Sequence, residues 1–401
     1  MPTLRDIVAA GQRLEGVAFH TPLVASPSLS KLLGAEVYLK LENLQRTGSF
    51  KIRGAYNRLS ILAAQSPGAK VVAASAGNHA QGVAVSAGLL GLEALIFMPR
   101  GASLSKRQAT LGAGAQLRLA GETVGDCLAA ARALQPSYTF IHPFDDRQVI
   151  AGQGSLGLEI LEDLPEVEAV LVPVGGGGLI AGVAMAIKER RPRVRVIGVE
   201  PKAAASALAA WRAGAPVETK TVSTLADGAR VGRVGELAWP LIQRYVDEMV
   251  AVEEDHIAQA MVMLLERRRI VAEGAGALGL AALLAQAVPG LAGRRVVLLI
   301  SGGNVDSNLL GRIIDQGLVR AGRIFRFSAV LPDRPGALAG LLGLLADQEA
   351  NVLLVAHDRH GRDLPPDQSR VRLEVETSGF EHARELAGRL LAAGYQISQE
   401  P

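Results

Sequence analysis

Short apolar segments alternate with Ala- and Leu-rich helical segments along most of the 401-residue chain. Each apolar segment has the length of one strand, and the intervals between them are long enough for helices. The clearest apolar segments are residues 71–74, 94–98, 116–119, 169–174, 194–199 and 296–300. This alternation predicts α/β layers around largely parallel sheets, and the unbroken apolar run at 169–172 suits a strand covered on both faces.

The pattern changes near Arg323, where a second type of unit begins. A strand at 324–331 is followed by the turn Asp333-Arg334-Pro335-Gly336 and by an amphipathic helix at 337–346. The remaining segments are strands at 351–358 and 369–376, a helix at 381–391 and a strand at 396–399. The order βαββαβ is typical of a ferredoxin-like unit, which is large enough to fold as its own domain.

Composition excludes several classes of protein. The net charge is only +3 and no basic run is interleaved with aromatic residues, so we expect no nucleic-acid partner. The single cysteine, Cys127, excludes an internal disulfide and a cysteine-rich zinc site. We find neither a signal peptide at the N-terminus nor an apolar stretch of membrane-spanning length, and we therefore expect a cytoplasmic protein without a membrane partner.

Lys51 occupies an unusual position. A strand at 37–41 breaks into a polar turn containing Gly48, and the turn opens a helix with Lys51 in its first turn, between Phe50 and Ile52. A helix N-terminus disfavours an additional cation, and apolar neighbours favour the neutral amine. A neutral amine is what Schiff-base chemistry requires. The alternative is a surface lysine that happens to follow a turn.

Four consecutive glycines, Gly175, Gly176, Gly177 and Gly178, join a buried strand to a helix at 179–188. Such a loop lets backbone N–H groups approach an anion, and the helix dipole adds to the attraction, so the loop predicts a phosphate site. The spacing Gly176-x-Gly178-x-x-Ala181, with Glu200 about 20 residues further on, also fits a dinucleotide-binding enzyme. A glycine-rich turn without a ligand is the third interpretation.

Two more loops follow predicted strands. One is Ser75-Ala76-Gly77-Asn78-His79, which offers backbone and hydroxyl donors to a carboxylate, and in which His79 could instead be a catalytic base. The other is Ser301-Gly302-Gly303-Asn304, at the sheet edge where α/β proteins bind ligands. Ordinary serine–glycine turns are the alternative for both loops.

Taken together and in this order, these segments closely resemble the threonine ammonia-lyase (threonine dehydratase) family. Its members are pyridoxal-phosphate (PLP) enzymes of the tryptophan-synthase-β type, called fold type II, with two open twisted α/β domains. The resemblance implies that Lys51 forms the Schiff base with PLP and is the base that removes the Cα proton. It further implies that Phe50 lies against the cofactor ring and that Gly175, Gly176, Gly177 and Gly178 hold the phosphate.

The resemblance also assigns the other two loops. It implies that Ser75, Ala76, Gly77, Asn78 and His79 bind the substrate, with Asn78 also bonded to the phenolic oxygen of PLP. Ser301 is expected to face the pyridine nitrogen with a neutral hydroxyl. Glu273, in a segment where Gly274 replaces the usual proline, is a candidate neighbour of the cofactor ring, with helix capping as the alternative.

The implied reaction is β-elimination that converts L-threonine to 2-oxobutanoate and ammonia, and L-serine to pyruvate. The implied domains are a PLP-dependent catalytic domain at 1–322, with a smaller subdomain at about 54–148 inserted in it, and an ACT-like regulatory domain at 323–401. In ACT domains the turn matching Asp333, Arg334, Pro335 and Gly336 binds an amino-acid effector. Isoleucine or valine would fit feedback in isoleucine biosynthesis, and exposed sheet edges favour a homodimer or homotetramer.

Three alternatives stay open on the sequence. Serine racemase (or serine dehydratase) is the nearest, but racemases carry a second serine where this chain has Ala76. Racemases also bind a divalent cation at positions matching Glu200, Ala204 and Ser206. In this chain Ser206 replaces an expected carboxylate, which argues against a divalent cation. A monovalent ion is the alternative. An NAD-dependent enzyme and a catalytically silent amino-acid sensor are the remoter candidates.

Overall fold

A computed structural model describes residues 1–360 and 364–400 of the chain. It divides into two compact units, Met1–Asp306 and Ser307–Pro401. The sequence-based boundary between residues 322 and 323, and the inserted subdomain at 54–148, stay predictions. The two units are described separately below.

The first unit contains ten strands and twelve α-helices in its described residues. The strands are β1 (Leu23–Ala25), β2 (Glu36–Leu41), β3 (Lys70–Ala74), β4 (Glu93–Met98), β5 (Gln116–Leu119), β6 (Thr139–Phe140), β7 (Ala169–Pro173), β8 (Arg195–Pro201), β9 (Glu248–Val252) and β10 (Arg295–Ile300). The helices are α1 (Leu4–Leu14), α2 (Pro27–Leu33), α3 (Lys51–Gln65), α4 (Asn78–Leu89), α5 (Leu104–Gly112), α6 (Val124–Arg132), α7 (Arg147–Asp163), α8 (Gly178–Lys188), α9 (Ser206–Ala213), α10 (Trp239–Tyr245), α11 (Glu254–Arg268) and α12 (Gly274–Leu284).

The strands of this unit form two sheets. The larger has the order β1-β2-β10-β7-β8-β9, in which every neighbouring pair is parallel except β1 and β2. The smaller has the order β5-β4-β3-β6 and is parallel throughout. The predicted alternation of strands and helices around largely parallel sheets is therefore confirmed.

Helices α7 and α8 pack at unusually close range because glycines line their contact. A Cβ added to Gly182 would lie 2.3 Å from the backbone oxygen of Ile150, and one added to Gly157 would lie 2.7 Å from the oxygen of Val183. No side chain larger than hydrogen fits such an approach without moving a backbone. The close packing fixes α8, whose first residue belongs to the glycine loop.

A buried ion network ties α3 to its surroundings. The Arg53 guanidinium donates to both oxygens of Glu42 at 2.8 Å, and it also pairs with Glu159 on α7. Lys40, which is fully buried, donates to Glu159 at 2.8 Å and to Asp163 at 2.9 Å. Burial by itself lowers the pKa of Arg53, but the two carboxylates outweigh it and the net shift is upward. Arg53 is therefore a permanent cation only two residues from Lys51.

The second unit begins with α13 (Ser307–Arg320) and continues with the predicted βαββαβ order. Its elements are β11 (Ile324–Pro332), α14 (Ala337–Asp347), β12 (Asn351–Asp358), β13 (Gln368–Glu376), α15 (Phe380–Ala392) and β14 (Gln396–Gln399). They form an antiparallel sheet of order β12-β13-β11-β14. The ferredoxin-like unit expected from the sequence is thus confirmed.

Across the described parts of the chain, we find no helix whose length and apolarity would let it span a bilayer.

The glycine contact between α7 and α8 leads to a stability prediction. Gly182→Ala should lower the free energy of unfolding by about 1–3 kcal/mol, because its methyl group would overlap the Ile150 carbonyl. Gly11→Ala is the matched control: it lies in α1 with nothing within 4 Å of the added Cβ, so it should stabilise by about 0.5–1 kcal/mol. Urea unfolding measures both values. Equal effects of the two substitutions would contradict the packing account.

Candidate active site

A cavity of ≈ 970 Å³ lies in the first unit where the carboxyl ends of β3, β7 and β10 meet. Ligand sites of open α/β folds form at these strand ends. The predicted site residues that line it are Phe50, Lys51, Ser75, Ala76, Gly77, Asn78, His79, Gly175, Gly176, Gly177, Gly178, Glu273 and Ser301. The structure therefore brings all four sequence segments to one place.

Lys51 is the first residue of α3, and its amine points to the cavity. Nζ donates to the backbone oxygen of Pro143 at 2.9 Å and lies 5.1 Å from the centroid of the Phe50 ring. Burial lowers the pKa of Lys51 from 10.5 to about 8, although the nearby charge of Glu273 acts in the opposite direction. A useful fraction of this amine is therefore neutral near physiological pH.

The four glycines form a turn that begins two residues after β7. Gly177 has φ +88°, and a Cβ on Gly176 would lie 2.4 Å from ring atoms of Phe144. Within the described residues, no group accepts a hydrogen bond from the N–H of Gly175, Gly176 or Gly177. Unpaired amides at the start of α8 provide what a phosphate needs. The loop thus fits the phosphate of PLP.

The Ser75 loop connects β3 to α4. The hydroxyl of Ser75 accepts from the N–H of Gly77 at 3.1 Å, and no side chain caps α4. The first amides of α4 are consequently available to a carboxylate. His79 is buried with Nε2 3.0 Å from the oxygen of Ile141, and burial lowers its pKa to about 3. A histidine held in this way is a poor candidate for the catalytic base.

Asn78 links Glu273 to Asn304 by hydrogen bonds. Its Nδ2 donates to the two oxygens of Glu273 at 2.8 and 3.0 Å, and its Oδ1 accepts from Asn304 Nδ2 at 2.8 Å. Asn304 also donates to the backbone oxygen of Thr47 at 2.8 Å. Glu273 is the N-cap residue of α12, but its carboxylate makes no side-chain capping bond there and binds Asn78 instead.

Burial raises the pKa of Glu273 to about 7, with the charge of Asp227 adding to the increase. The charge of Lys51 acts in the opposite direction on the pKa of Glu273, as the charge of Glu273 does on that of Lys51. Ser301 follows β10 and is 2 % exposed; its backbone oxygen accepts from the N–H of Phe50 at 3.1 Å. This bond holds the start of α3 against the end of β10.

Of the residues considered for a metal ion, Glu200 lies on β8, Ala204 lies in the turn that follows and Ser206 begins α9. The buried Glu200 carboxylate accepts from the amides of Ala207 at 2.9 Å and Leu208 at 2.7 Å. Burial raises its pKa to about 8. Ala204 offers no side-chain ligand, and the hydroxyl of Ser206 is buried without a hydrogen-bond partner. In residues 1–360 and 364–400, no cluster of three or more His, Cys, Asp or Glu could hold a metal.

Sequence reasoning missed two features of the cavity. The sequence places Asn304 only in a loop, although it connects Asn78 to the turn before Lys51. Lys106 and Asp227 form an ion pair of 2.8 Å at the cavity wall, with no recognisable motif around either residue. The position of Asn304 directly after two glycines could have indicated its role, whereas nothing in the sequence pairs Lys106 with Asp227.

Comparison with known proteins decides the family. The profile of the pyridoxal-phosphate dependent enzymes matches residues 14–302. The chain belongs to this family. An L-threonine ammonia-lyase of Thermotoga maritima is 49% identical over 399 residues, which cover 99% of each chain. This match includes the second unit as well as the first.

Two solved structures are similar to about three quarters or more of the chain. A threonine deaminase of T.th. has a TM-score of 0.71 at 41% identity, and the match covers 76% of this chain and 99% of that one. Maize serine racemase has a TM-score of 0.74 at 33% identity, covering 80% and 98%. Fold type II, the resemblance to threonine ammonia-lyases, an enzymatic role and PLP as the cofactor are therefore confirmed.

The lowered pKa of Lys51 can be measured directly on cofactor-free protein. Acetylation of the amine, followed by mass spectrometry across a pH series, should show half-maximal reactivity of Lys51 at a pH of about 8, because only the neutral amine reacts. Lys70 is the internal reference, since its hydrogen bond and ion pair with Glu93 raise its pKa. A Lys51 midpoint as high as that of Lys70 would contradict the burial account.

Proposed function

We propose that this protein is a PLP-dependent threonine ammonia-lyase that converts L-threonine to 2-oxobutanoate and ammonia, and L-serine to pyruvate. One observation carries the proposal: the amine of Lys51, whose pKa is lowered by burial, shares a cavity with the unpaired amides of the Gly175 loop. A Schiff-base amine and a phosphate site in one cavity are the two anchors that PLP requires. The names of the similar proteins support threonine as the substrate.

Each anchor has a proposed partner on the cofactor. The amides of the Gly175 loop and the start of α8 would hold the phosphate, Phe50 would lie against the ring and Asn78 would donate to the phenolic oxygen. Ser301 would face the ring nitrogen with a neutral hydroxyl. When bound, PLP supplies the electron sink for cleavage at Cα.

The chain's own groups then do the positioning and proton transfer. The amides at the start of α4, together with Ser75, bind the substrate carboxylate. Nζ of Lys51 takes the Cα proton, which its lowered pKa permits near neutral pH. Glu273, bonded to Asn78, is a positioning residue that orients the amide toward the cofactor. The β-hydroxyl leaves together with a proton as water, and addition of one water to the dehydrated amino acid then gives the keto acid and ammonia.

Serine racemase is the second candidate, favoured by the similarity to the maize enzyme. Racemisation requires an acid/base on the opposite face of Cα from Lys51. The proposed position of that group is occupied by Ala76, which lines the cavity and has no titratable side chain. Elimination is therefore the proposed main reaction.

The NAD-dependent alternative is disfavoured, since the Glu200 carboxylate already accepts hydrogen bonds from the amides of α9.

The second unit is proposed to be an ACT-like regulatory domain. Its turn Asp333-Arg334-Pro335-Gly336 leads from β11 into α14, and Gly336 has φ +88°, a conformation that favours glycine. We propose this turn as the effector site for an amino acid such as isoleucine or valine. A cytoplasmic homodimer or homotetramer completes the proposal; exposed Leu353, Leu354 and Val355 on edge strand β12 support self-association.

The activity is tested by incubating PLP-loaded protein with L-threonine and measuring 2-oxobutanoate and ammonia. We expect equal amounts of both products. Lys51→Ala should lower the rate by about 10²–10⁴-fold, because the base is lost. Lys70→Ala, which removes an exposed lysine paired with Glu93, is the control and should retain activity. A PLP-loaded wild-type protein that releases neither product would reject the proposal.

The choice between elimination and racemisation is tested at Ala76. Wild-type protein given L-serine should form pyruvate with little D-serine. Ala76→Ser should increase the ratio of D-serine to pyruvate, because a hydroxyl now faces the side of Cα opposite to Lys51. Chiral chromatography measures this ratio, and Ala80→Ser on the buried side of α4 is a control for an added hydroxyl elsewhere. Abundant D-serine from the wild type would favour the racemase.

A further inference from the structure

A second cavity, of ≈ 600 Å³, lies at the opposite edge of the larger sheet from the active site. It is lined by the loop between α8 and β8, by the first residue of β7 and by residues shortly before β10. These are the amino ends of β7, β8 and β10, and the carboxyl ends of β7 and β10 contribute to the catalytic cavity. The two cavities are therefore separated by the length of the strands, about 3.3 Å per residue.

Arginine dominates the lining of this second cavity. Five arginines contribute, namely Arg190, Arg191, Arg193, Arg195 and Arg294, against the single acidic residue Glu168. Arg195 pairs with Glu248 at 2.9 Å, and Arg294 pairs with Glu168 at 2.6 Å. The described residues provide no ion-pair partner for the remaining three. Three of the five arginines, all of them exposed, are thus left without an ion-pair partner.

The acidic residue is held by groups other than these three arginines. Glu168 accepts from Arg294 and also from the backbone N–H of Arg295 at 3.0 Å. The backbone hydrogen bond, followed by the interaction with Arg294, lowers the pKa of Glu168. The Glu168 carboxylate is therefore already bound to these neighbouring donors. Lys188, at the end of α8, is likewise paired with Asp247 at 2.7 Å. Arg190, Arg191 and Arg193 are the cations left for a ligand.

The loop that carries the three arginines is held in place by its backbone. The N–H of Arg191 donates to Ile187 at 2.7 Å, and that of Val194 donates to Arg191 at 3.1 Å. The oxygen of Pro192 accepts from Lys188 at 3.1 Å. A fixed backbone keeps three exposed arginines of like charge within four positions of one another, and an anion bound between them would relieve their mutual repulsion.

We propose that this cavity binds an anion with two or more adjoining phosphate groups, either free pyrophosphate or the pyrophosphate of a nucleotide. The planar guanidinium binds phosphate with two parallel hydrogen bonds, which makes arginine better suited than lysine to this role. The cavity volume is in the range of small-ligand sites. No aromatic side chain of the described residues lines the cavity, so phosphates rather than a stacked base provide the affinity.

Helix α8 connects this arginine loop to the active site. Its first residue, Gly178, belongs to the proposed cofactor-phosphate loop, and its last residue, Lys188, directly precedes the arginine loop. An 11-residue helix is about 16 Å long, so the two phosphate sites are distinct. Binding should be measured on PLP-loaded protein, in which the Gly175 loop is already occupied.

The test is calorimetric titration of the PLP-loaded full chain with pyrophosphate at low ionic strength. We expect saturable binding that weakens as salt is added. R190Q/R191Q/R193Q should weaken it by about tenfold or more. R267Q/R268Q/R269Q is the matched control, because it removes the same charge from another arginine triplet of the first unit and should leave binding unchanged. If the triple variant does not fold, R193Q alone should still weaken binding by about threefold.

Titrations with ADP and orthophosphate complete the experiment. Tighter binding of ADP than of pyrophosphate would identify a nucleotide as the ligand class, and equal binding would identify the free oligophosphate. Orthophosphate that binds as tightly as pyrophosphate, equal losses in the two triple variants, or no binding to the wild type would each overturn the proposal. Because the readout is binding, its failure is distinct from failure of the lyase activity.

Discussion

The buried ion pair between Arg53 and Glu42 determines where the reactive lysine stands. Glu42 follows β2, Arg53 lies in the first turn of α3, and Glu159 on α7 completes the network. Removing one partner of such a pair would leave an uncompensated buried charge, at a cost of about 3–5 kcal/mol. The network therefore fixes the start of α3 relative to the larger sheet, and Lys51 is the residue that begins that helix.

Helices α3, α4 and α8 are among those that begin at the catalytic cavity. Their unpaired N–H groups and dipoles make the cavity attractive to anions, which suits the phosphate of PLP and the carboxylate of an amino acid. The same environment opposes a charged lysine, and burial lowers the pKa of Lys51 further. Parallel strands produce this arrangement, because they bring the loops that follow them to one edge of a sheet. At the other edge of the larger sheet, the second cavity collects arginines instead.

Sequence patterns predicted most of the fold and the central part of the site. The strong apolar strands and the βαββαβ order were predictable because their periodicity is local. Strands β1, β6 and β9 were missed: β1 and β6 contain only three and two residues, and β9 contains five. Asn78 is hydrogen-bonded to Glu273, which is 195 positions away in sequence, and to Asn304, which is 226 positions away. Only the tertiary fold reveals contacts over such separations. The arginine cavity could not be predicted either, because the sequence does not show which arginines have an ion-pair partner and which do not.

The central claim is that Lys51 is the lysine that binds the cofactor, and one measurement tests it directly. PLP-loaded protein is reduced with borohydride, which makes the attachment permanent, then digested and mapped by mass spectrometry. The structure predicts that the added mass is found on the peptide containing Lys51. The pKa of this amine is lowered by burial, and Lys51 lines the same cavity as the glycine loop. Modification of a different lysine, with Lys51 unmodified, would contradict the account.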